Sequence, residues 1–244
     1  MFPRFSNNDE SGNWLGQEFM NNISNPDNAA CLIQNLVTTY QNHGFRGINL
    51  DIENLSSTDT IPFVNWVEDL TTAFHKENMY VTIDLPMNND VYDYEALSSI
   101  VDGVVIMAYD EHYIYGEAGS IASNERFKDG VSDILKRVDP KKTIIAIGNY
   151  AYDWDTAQTG SAANSMSFDD AVTLADDIGA DIQTDTTAIN STFNYLDSNK
   201  NIHQVRMLDG ISARDEYYFT RTKNALGMSL RRIGIEDPSL RKFR

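Results

Sequence analysis

In the stretch Phe45-Arg-Gly-Ile-Asn-Leu-Asp-Ile-Glu-Asn-Leu55, the polar residues Asn49, Asp51 and Glu53 alternate with Ile48, Leu50 and Ile52. A β-strand sends alternate side chains to one face, so the three polar groups point together while the apolar ones turn toward a helix layer. Carboxylates are costly to bury unpaired. A salt-bridged strand end carries this pattern, and so does a hydrolytic site. With Asp110 and His112 the pair also offers ligands for a divalent metal in a hydrolase of phosphate esters. The single nearby histidine and the lack of a basic phosphate-binding loop count against that reading.

A second stretch, Val104-Val-Ile-Met-Ala-Tyr-Asp-Glu-His-Tyr113, runs from a continuous apolar strand directly into polar and aromatic residues, which suits a pocket floor better than a solvated surface. Other chemistries lack their marks. There is no Gly-x-x-x-x-Gly-Lys phosphate loop, no Gly-x-Ser-x-Gly elbow, no His-Glu-x-x-His helix and no Gly-x-Gly-x-x-Gly turn. The histidines at 43, 75, 112 and 203 are scattered, and His43 and His75 fall near predicted helix ends, where a surface role is expected.

The elements that position these residues are legible from periodicity. Ile33, Leu36, Val37 and Tyr40 recur at helical spacing and predict a helix over 27–44, which Gly44 is placed to end. A strand follows at Gly47–Asp51, then a helix marked by Phe63, Val67, Leu70 and Phe74 with Pro62 near its first turn, then a strand over 79–85. The alternation continues through a short helix at Tyr94–Ile100, a strand at Gly103–Met107, a helix over 126–138 and a strand over 143–147. Ser167 with Asp170 reads as a capping pair opening another helix, and 192–195, 203–208 and 228–233 read as extended.

Such alternation favours a parallel sheet, either a closed barrel or a doubly wound open one. Asp51 with Glu53, Asp84, Tyr109 with Asp110, and Asn149 all fall at the C-terminal ends of successive predicted strands. That rim is where parallel barrels form their active sites, which selects an α/β barrel, although a doubly wound sheet uses the same edge.

At 244 residues the chain suits one large domain, and 41% hydrophobic with 11% aromatic residues is enough for a core. A formal charge of -17 repels nucleic acid and anionic membrane, so neither is an expected partner. From Lys200 onward, however, ten Lys and Arg stand against five Asp and Glu. A solvated or internally paired C-terminal helix explains this, and an anion-binding patch is the alternative. Cys31 is the only cysteine, which leaves no intramolecular disulfide and no cysteine zinc site, and it is expected as a small helix core residue. No run reaches the roughly 18 apolar residues of a membrane span, and the polar start does not read as a signal peptide, so an export signal is expected outside this chain.

Together the two polar-ended strands resemble glycoside hydrolase family 18. Its signature strand ending in Asp-x-Glu is matched by Gly47-Ile-Asn-Leu-Asp-Ile-Glu53, and its later Met-x-Tyr-Asp strand by Met107-Ala-Tyr-Asp110. Ile147-Gly-Asn-Tyr-Ala-Tyr-Asp-Trp154 and Val205-Arg-Met-Leu-Asp209 extend the resemblance over nearly the whole chain. They are similar to the bacterial branch found joined to polysaccharide deacetylase and family 2 glycosyltransferase domains, and to spore-cortex lytic members. The resemblance implies a (β/α)8 barrel of the TIM type in a single domain over 1–244, with a small insertion around 155–209. It also implies an extracytoplasmic or envelope setting, no cofactor and no metal.

It further implies substrate-assisted, retaining hydrolysis of β-linked N-acetylglucosamine polymers such as peptidoglycan, chitin-like chains or an exopolysaccharide. Glu53 is then the acid that protonates the leaving oxygen and later activates water. Asp51 orients the 2-acetamido group and stabilises its developing charge, and the Tyr109 hydroxyl bonds the acetamido oxygen. Asn49, Asp110 and Asn149 line the sugar site, and Tyr113, Tyr150 and Trp154 offer stacking faces, core packing being the alternative for each aromatic.

Two departures accompany the resemblance. Met1-Phe-Pro-Arg-Phe-Ser-Asn7 resembles the third strand of the family barrel, so a barrel lacking its first two strands is expected. Arg231 stands where members carry a Trp beneath the cleaved sugar, and a cation there is expected to touch substrate or to pair with a carboxylate. A non-catalytic sugar-binding or scaffolding domain of the same lineage is the alternative function.

Overall fold

The computed structural model describes residues 1–157 and 162–242. In chain order they form β1 (Arg4–Ser6), α1 (Gly16–Ile23), α2 (Pro26–Asn42), β2 (Gly47–Asp51), α3 (Thr60–Lys76), β3 (Tyr80–Pro86), α4 (Tyr94–Ile100), β4 (Gly103–Met107) and α5 (Asn124–Ile134). Then follow β5 (Thr143–Gly148), β6 (Ala151–Asp155), β7 (Asn164–Met166), α6 (Phe168–Ile178), β8 (Gln183–Asp185), β9 (Asn190–Leu196), β10 (Ile202–Met207), α7 (Gly210–Thr222) and β11 (Gly227–Arg231). The larger sheet has six strands in the order β1-β2-β3-β4-β5-β11, an open parallel α/β arrangement that matches an incomplete barrel.

The chain divides into two compact units, Met1–Met107 with Ile134–Ile144, and Ala108–Asp133 with Ile145–Arg244. In the first unit, β1, β2, β3 and β4 pair in parallel, with Arg4 beside Asn49, Ser6 beside Asp51 and Asn49 beside Thr82. Ile48, Leu50 and Ile52 are at most 1% exposed, so the apolar face of the Asp-x-Glu strand is sealed as its alternation requires. Phe63, Val67, Leu70 and Phe74 form the buried stripe of α3. In α2 the buried stripe is Ile33, Leu36, Val37 and Tyr40. Cys31 is exposed rather than core, because two residues before Ile33 on a helix of 3.6 residues per turn lies on the opposite side. Asn25 accepts from the N–H groups of Asp27 and Asn28, and Pro26 occupies the first turn, which fixes where α2 starts.

In the second unit a five-stranded antiparallel sheet runs β7-β6-β10-β9-β8. Ala151, Phe193, Val205 and Met207 pack with Ala171 and Ala175 of α6 beneath it. Ser167 and Asp170 cap α6 reciprocally, as their spacing predicts, and Gly179 ends it in the left-handed conformation. Two boundaries differ from expectation. Helix α5 stops at Ile134, where the amides of Arg137 and Val138 both turn back to the Ile134 carbonyl. Strand β11 ends at Arg231 instead of continuing to 233.

Candidate functional site

In the first unit Asp51 ends β2 and is 3% exposed, and the partly buried Glu53 follows two residues later. Arg4, on the neighbouring β1, places Nη1 2.9 Å from Asp51 Oδ2, and its guanidinium lies 5.7 Å from the Trp14 ring centre. Asn49 is partly buried and donates from Nδ2 to Asp84 at 2.8 Å, while its Oδ1 accepts from the Thr82 hydroxyl at 2.7 Å. Both ends of the Asn49 amide are therefore engaged by neighbouring β3.

The backbone that carries Glu53 is held at each residue. Asn7 donates from Nδ2 to the Glu53 carbonyl at 2.8 Å and accepts the Glu53 N–H on Oδ1 at 2.9 Å. The buried Tyr92 hydroxyl donates to the Ile52 carbonyl at 2.9 Å. Asn54, at φ +60°, donates from its side chain to the Trp14 carbonyl at 3.2 Å. Burial raises the Tyr92 phenol well above its ordinary pKa, and the charges of Glu53 and Asp51 add to that, so it stays a donor at all working pH.

In the second unit Tyr109 and Asp110 follow β4 in sequence, with Asp110 at φ +57°. Asp110 Oδ1 accepts from both the Tyr150 hydroxyl and, at 3.1 Å, the Tyr152 hydroxyl. Burial pushes the Asp110 carboxyl above the usual carboxylate range, while the two tyrosine bonds and the Arg231 charge pull the other way. Burial also raises the Tyr150 and Tyr152 phenols, with Asp110 as the next cause. Partial burial opposes the Arg231 charge, yet Tyr109, Tyr150, Asp110 and Tyr152 together raise its pKa.

Asn149 is 1% exposed and holds the end of β11: its N–H donates to the Arg231 carbonyl at 3.2 Å and its Nδ2 to the Arg232 carbonyl at 2.7 Å. Trp154 is 4% exposed and packs at 74° to Tyr152, with ring centres 5.3 Å apart, in a cluster with Tyr150 and Leu208. Tyr113 is 51% exposed and meets Tyr115 edge-on. Asp110, Tyr150, Tyr152, Ser165, Arg231, Arg232 and Ile235 line a cavity of about 170 Å³.

The first unit thus gathers Asn49, Asp51 and Glu53, and the second gathers Asp110, Asn149, Trp154 and Arg231. Among the described residues no group of three or more His, Cys, Asp or Glu side chains is placed to hold a metal ion, and His112 turns Nδ1 to the Glu117 carbonyl at 3.1 Å. Among the described residues no helix is long and apolar enough to cross a membrane. Sequence reasoning passed over Arg4, Asn7, Tyr92, Tyr152 and Arg232. A local signal existed only for Arg4, whose alternation with Phe5 and Ser6 reads as a strand, and for Tyr152, which sits in an alternating Tyr-Asp-Trp run.

The chain is 27% identical over 216 residues to "Uncharacterized glycosylase YvbX" of Bacillus subtilis (strain 168), covering 85% of this chain and 62% of that protein. It is 27% identical over 218 residues to the "Cortical fragment-lytic enzyme" of the same organism, covering 85% of this chain and 51% of that one. The chain therefore spans roughly half to three-fifths of the length of these relatives. Among solved structures, a chitinase from Chromobacterium violaceum ATCC 12472 superposes with a TM-score of 0.88 at 26% identity, over 98% of this chain and 76% of that one. The Bacillus cereus spore cortex-lytic enzyme SleL superposes with a TM-score of 0.87 at 25% identity, over 98% of this chain and 57% of that one. The family model described as "Glycosyl hydrolases family 18" matches residues 11–225, and the chain belongs to that family.

Proposed function

We propose that this domain hydrolyses β-linked N-acetylglucosamine-containing polysaccharide by substrate-assisted, retaining catalysis. The observation that carries the reading is the end of β2, where a buried Asp51 precedes a Glu53 whose backbone is held by Asn7, with Tyr92 holding the Ile52 carbonyl between them. Glu53 gives its proton to the glycosidic oxygen as the acetamido oxygen attacks the anomeric carbon, and the leaving alcohol departs. The Glu53 carboxylate then takes a proton from water, which attacks the same carbon and reopens the oxazolinium ring. Asp51 balances the positive charge of that ring. Tyr109 is assigned the bond to the acetamido oxygen by its place in Met107-Ala-Tyr-Asp110.

The remaining candidates take different duties in this reading. Asn49 fixes Asp84, Asn149 fixes the Arg231–Arg232 backbone, and Trp154 supports Tyr152, whereas Asp110 and Arg231 face a cavity and Tyr113 keeps an open ring. Peptidoglycan is the preferred polymer, on the likeness to cortical fragment-lytic proteins.

The test is hydrolysis of a labelled N-acetylglucosamine oligomer, run beside Glu53→Gln and beside the same oligomer with its acetyl groups removed. Turnover that needs both Glu53 and the acetyl group supports the mechanism. Absence of turnover with sugar binding retained would replace it by a non-catalytic carbohydrate-binding domain.

A further inference from the structure

The cavity in the second unit is unusual in its charge. Two arginines, Arg231 and Arg232, are among its lining residues with Asp110 as the single acid, and the Arg231 charge acts on Asp110. The other acids near the end of β11 are engaged elsewhere: Glu236 pairs with Arg241 at 3.0 Å and accepts the Gly234 N–H, and Asp237 accepts from the amides of Gly210 and Ser239. The lining therefore carries a net positive charge with Asp110 ionised, and a larger one with Asp110 protonated. Ser165 and Tyr152, whose hydroxyl donates to Asp110, complete the polar part of the lining. An uncharged acetamido sugar leaves both cations unanswered, whereas a carboxylate accepts a guanidinium's paired N–H groups.

The pocket is held in place before any ligand arrives. Asn149 anchors the carbonyls of both arginines, and the Tyr150 and Tyr152 hydroxyls fix Asp110. Its volume of about 170 Å³ is small beside the roughly 300–1,000 Å³ of whole-ligand sites, so it suits one substituent of a sugar and not a whole oligosaccharide.

From this we infer that the Arg231–Arg232 pocket is a subsite for a carboxylate carried by the sugar chain, and that the domain selects acidic amino-sugar polymers over neutral ones. The inference rests on the proposed reading of the domain as one that binds N-acetylglucosamine polymers. Two sources share the chemistry: an ether-linked 3-O-lactyl group, as in peptidoglycan glycan, and a uronic acid alternating with N-acetylglucosamine. The first fits better, because a short flexible arm reaches into a small pocket that a pyranose ring overfills.

The experiment is calorimetric titration of the whole chain with four matched oligomers: lactyl-bearing, lactyl-bearing with each carboxyl reduced to the alcohol, uronic acid-bearing, and neutral N-acetylglucosamine. The expected result is about tenfold or more tighter binding of the lactyl carboxylate form than of its reduced form, as for a charge-assisted bond. This preference shrinks as salt is raised. In Arg231→Gln and Arg232→Gln the preference collapses toward one, and Arg232→Lys keeps part of it, which separates lost charge from a disturbed fold. Tighter binding of the uronic acid oligomer than of the lactyl one would keep the carboxylate subsite and reassign its source. Equal affinity for carboxylated and reduced oligomers, or a preference that survives both Gln variants, overturns the inference. Hydrolysis assayed alongside separates the two ideas: carboxylate-dependent binding without turnover keeps the subsite and sinks the glycosidase reading. Turnover indifferent to the carboxyl does the reverse.

Discussion

The Asn7 side chain bonds both backbone groups of Glu53, donating to its carbonyl at 2.8 Å and accepting its N–H at 2.9 Å. Forty-six positions separate the two, so the residue just after the first strand holds the backbone just after the second, where Glu53 stands. An acid that must meet a glycosidic oxygen within hydrogen-bond reach loses rate steeply when displaced, on the order of a hundredfold for about 1 Å. Asn7→Ala is expected to lower kcat about ten- to a hundredfold with little change in KM, and to cost about 1–3 kcal/mol of stability. Steady-state kinetics beside thermal unfolding check this. A variant that melts earlier but keeps kcat would make Asn7 structural only.

Arg4 and Asp51 form an ion pair at 2.9 Å in which the acid is 5% exposed and the base 45%. Removing one partner of a fully buried pair costs about 3–5 kcal/mol, and an exposed pair is worth under about 1. This half-screened pair falls between. Arg4→Met is expected to lose about 1–2 kcal/mol in urea unfolding, with a smaller loss at high salt. An unchanged midpoint in low salt would show that Asp51 draws its support elsewhere.

How far the sequence reveals this arrangement depends on whether the cause is local. Strand Gly47–Asp51, helix Tyr94–Ile100 and strand Gly103–Met107 are read residue for residue, because each is a short apolar pattern between clear breakers. Ser167 and Asp170 announce α6 through a cap that lies wholly within four residues. A C-terminal helix is expected after Lys200, but the bounds of α7 are not legible because Gly-Ile-Ser-Ala-Arg-Asp-Glu-Tyr-Tyr-Phe-Thr-Arg-Thr has a weak apolar face, although its N-cap Asp209, which accepts from Ile211 and Ser212, was a usable sign. The Asp-x-Glu pair was legible as alternation. Its supports were not: Asn7, Tyr92 and Arg4 reach it across 46, 40 and 47 residues of sequence, and no spacing rule encodes a contact at such range.

Gly16 shows how closely the acid's loop is packed. A Cβ built there lies 1.8 Å from the Asn54 carbonyl oxygen and 3.0 Å from that of Glu53, so only a glycine lets the start of α1 sit against this backbone. Gly16→Ala must push the Glu53–Asn54 segment aside. The expected cost is about 1–3 kcal/mol, with a fall in kcat that a remote packing defect would not produce. Gly227→Ala serves as the comparison, since a Cβ there meets nothing within 4 Å and the effect is expected within about 0.5 kcal/mol. Similar losses in the two variants would refute the close-approach argument.

Glu216 on α7 is 3% exposed, and burial raises its carboxyl well above the ordinary glutamate pKa, with Asp215 and Asp209 adding repulsion. Between the unfolded value near 4.5 and the higher folded one, the folded chain holds a proton that the unfolded chain has released. The protonated group's full contribution is therefore present below about pH 4.5 and is lost as pH rises through the folded pKa. Glu216→Gln removes this dependence while keeping the shape. Its melting temperature relative to wild type is expected to climb as pH rises above about 4.5 and to level off once pH passes the folded pKa, by about 2–4 °C for each kcal/mol recovered in a chain of this size. Thermal unfolding of both proteins across that range checks the slope: a difference that stays flat with pH would mean Glu216 is ionised in the fold and has found a cation or water to stabilise it.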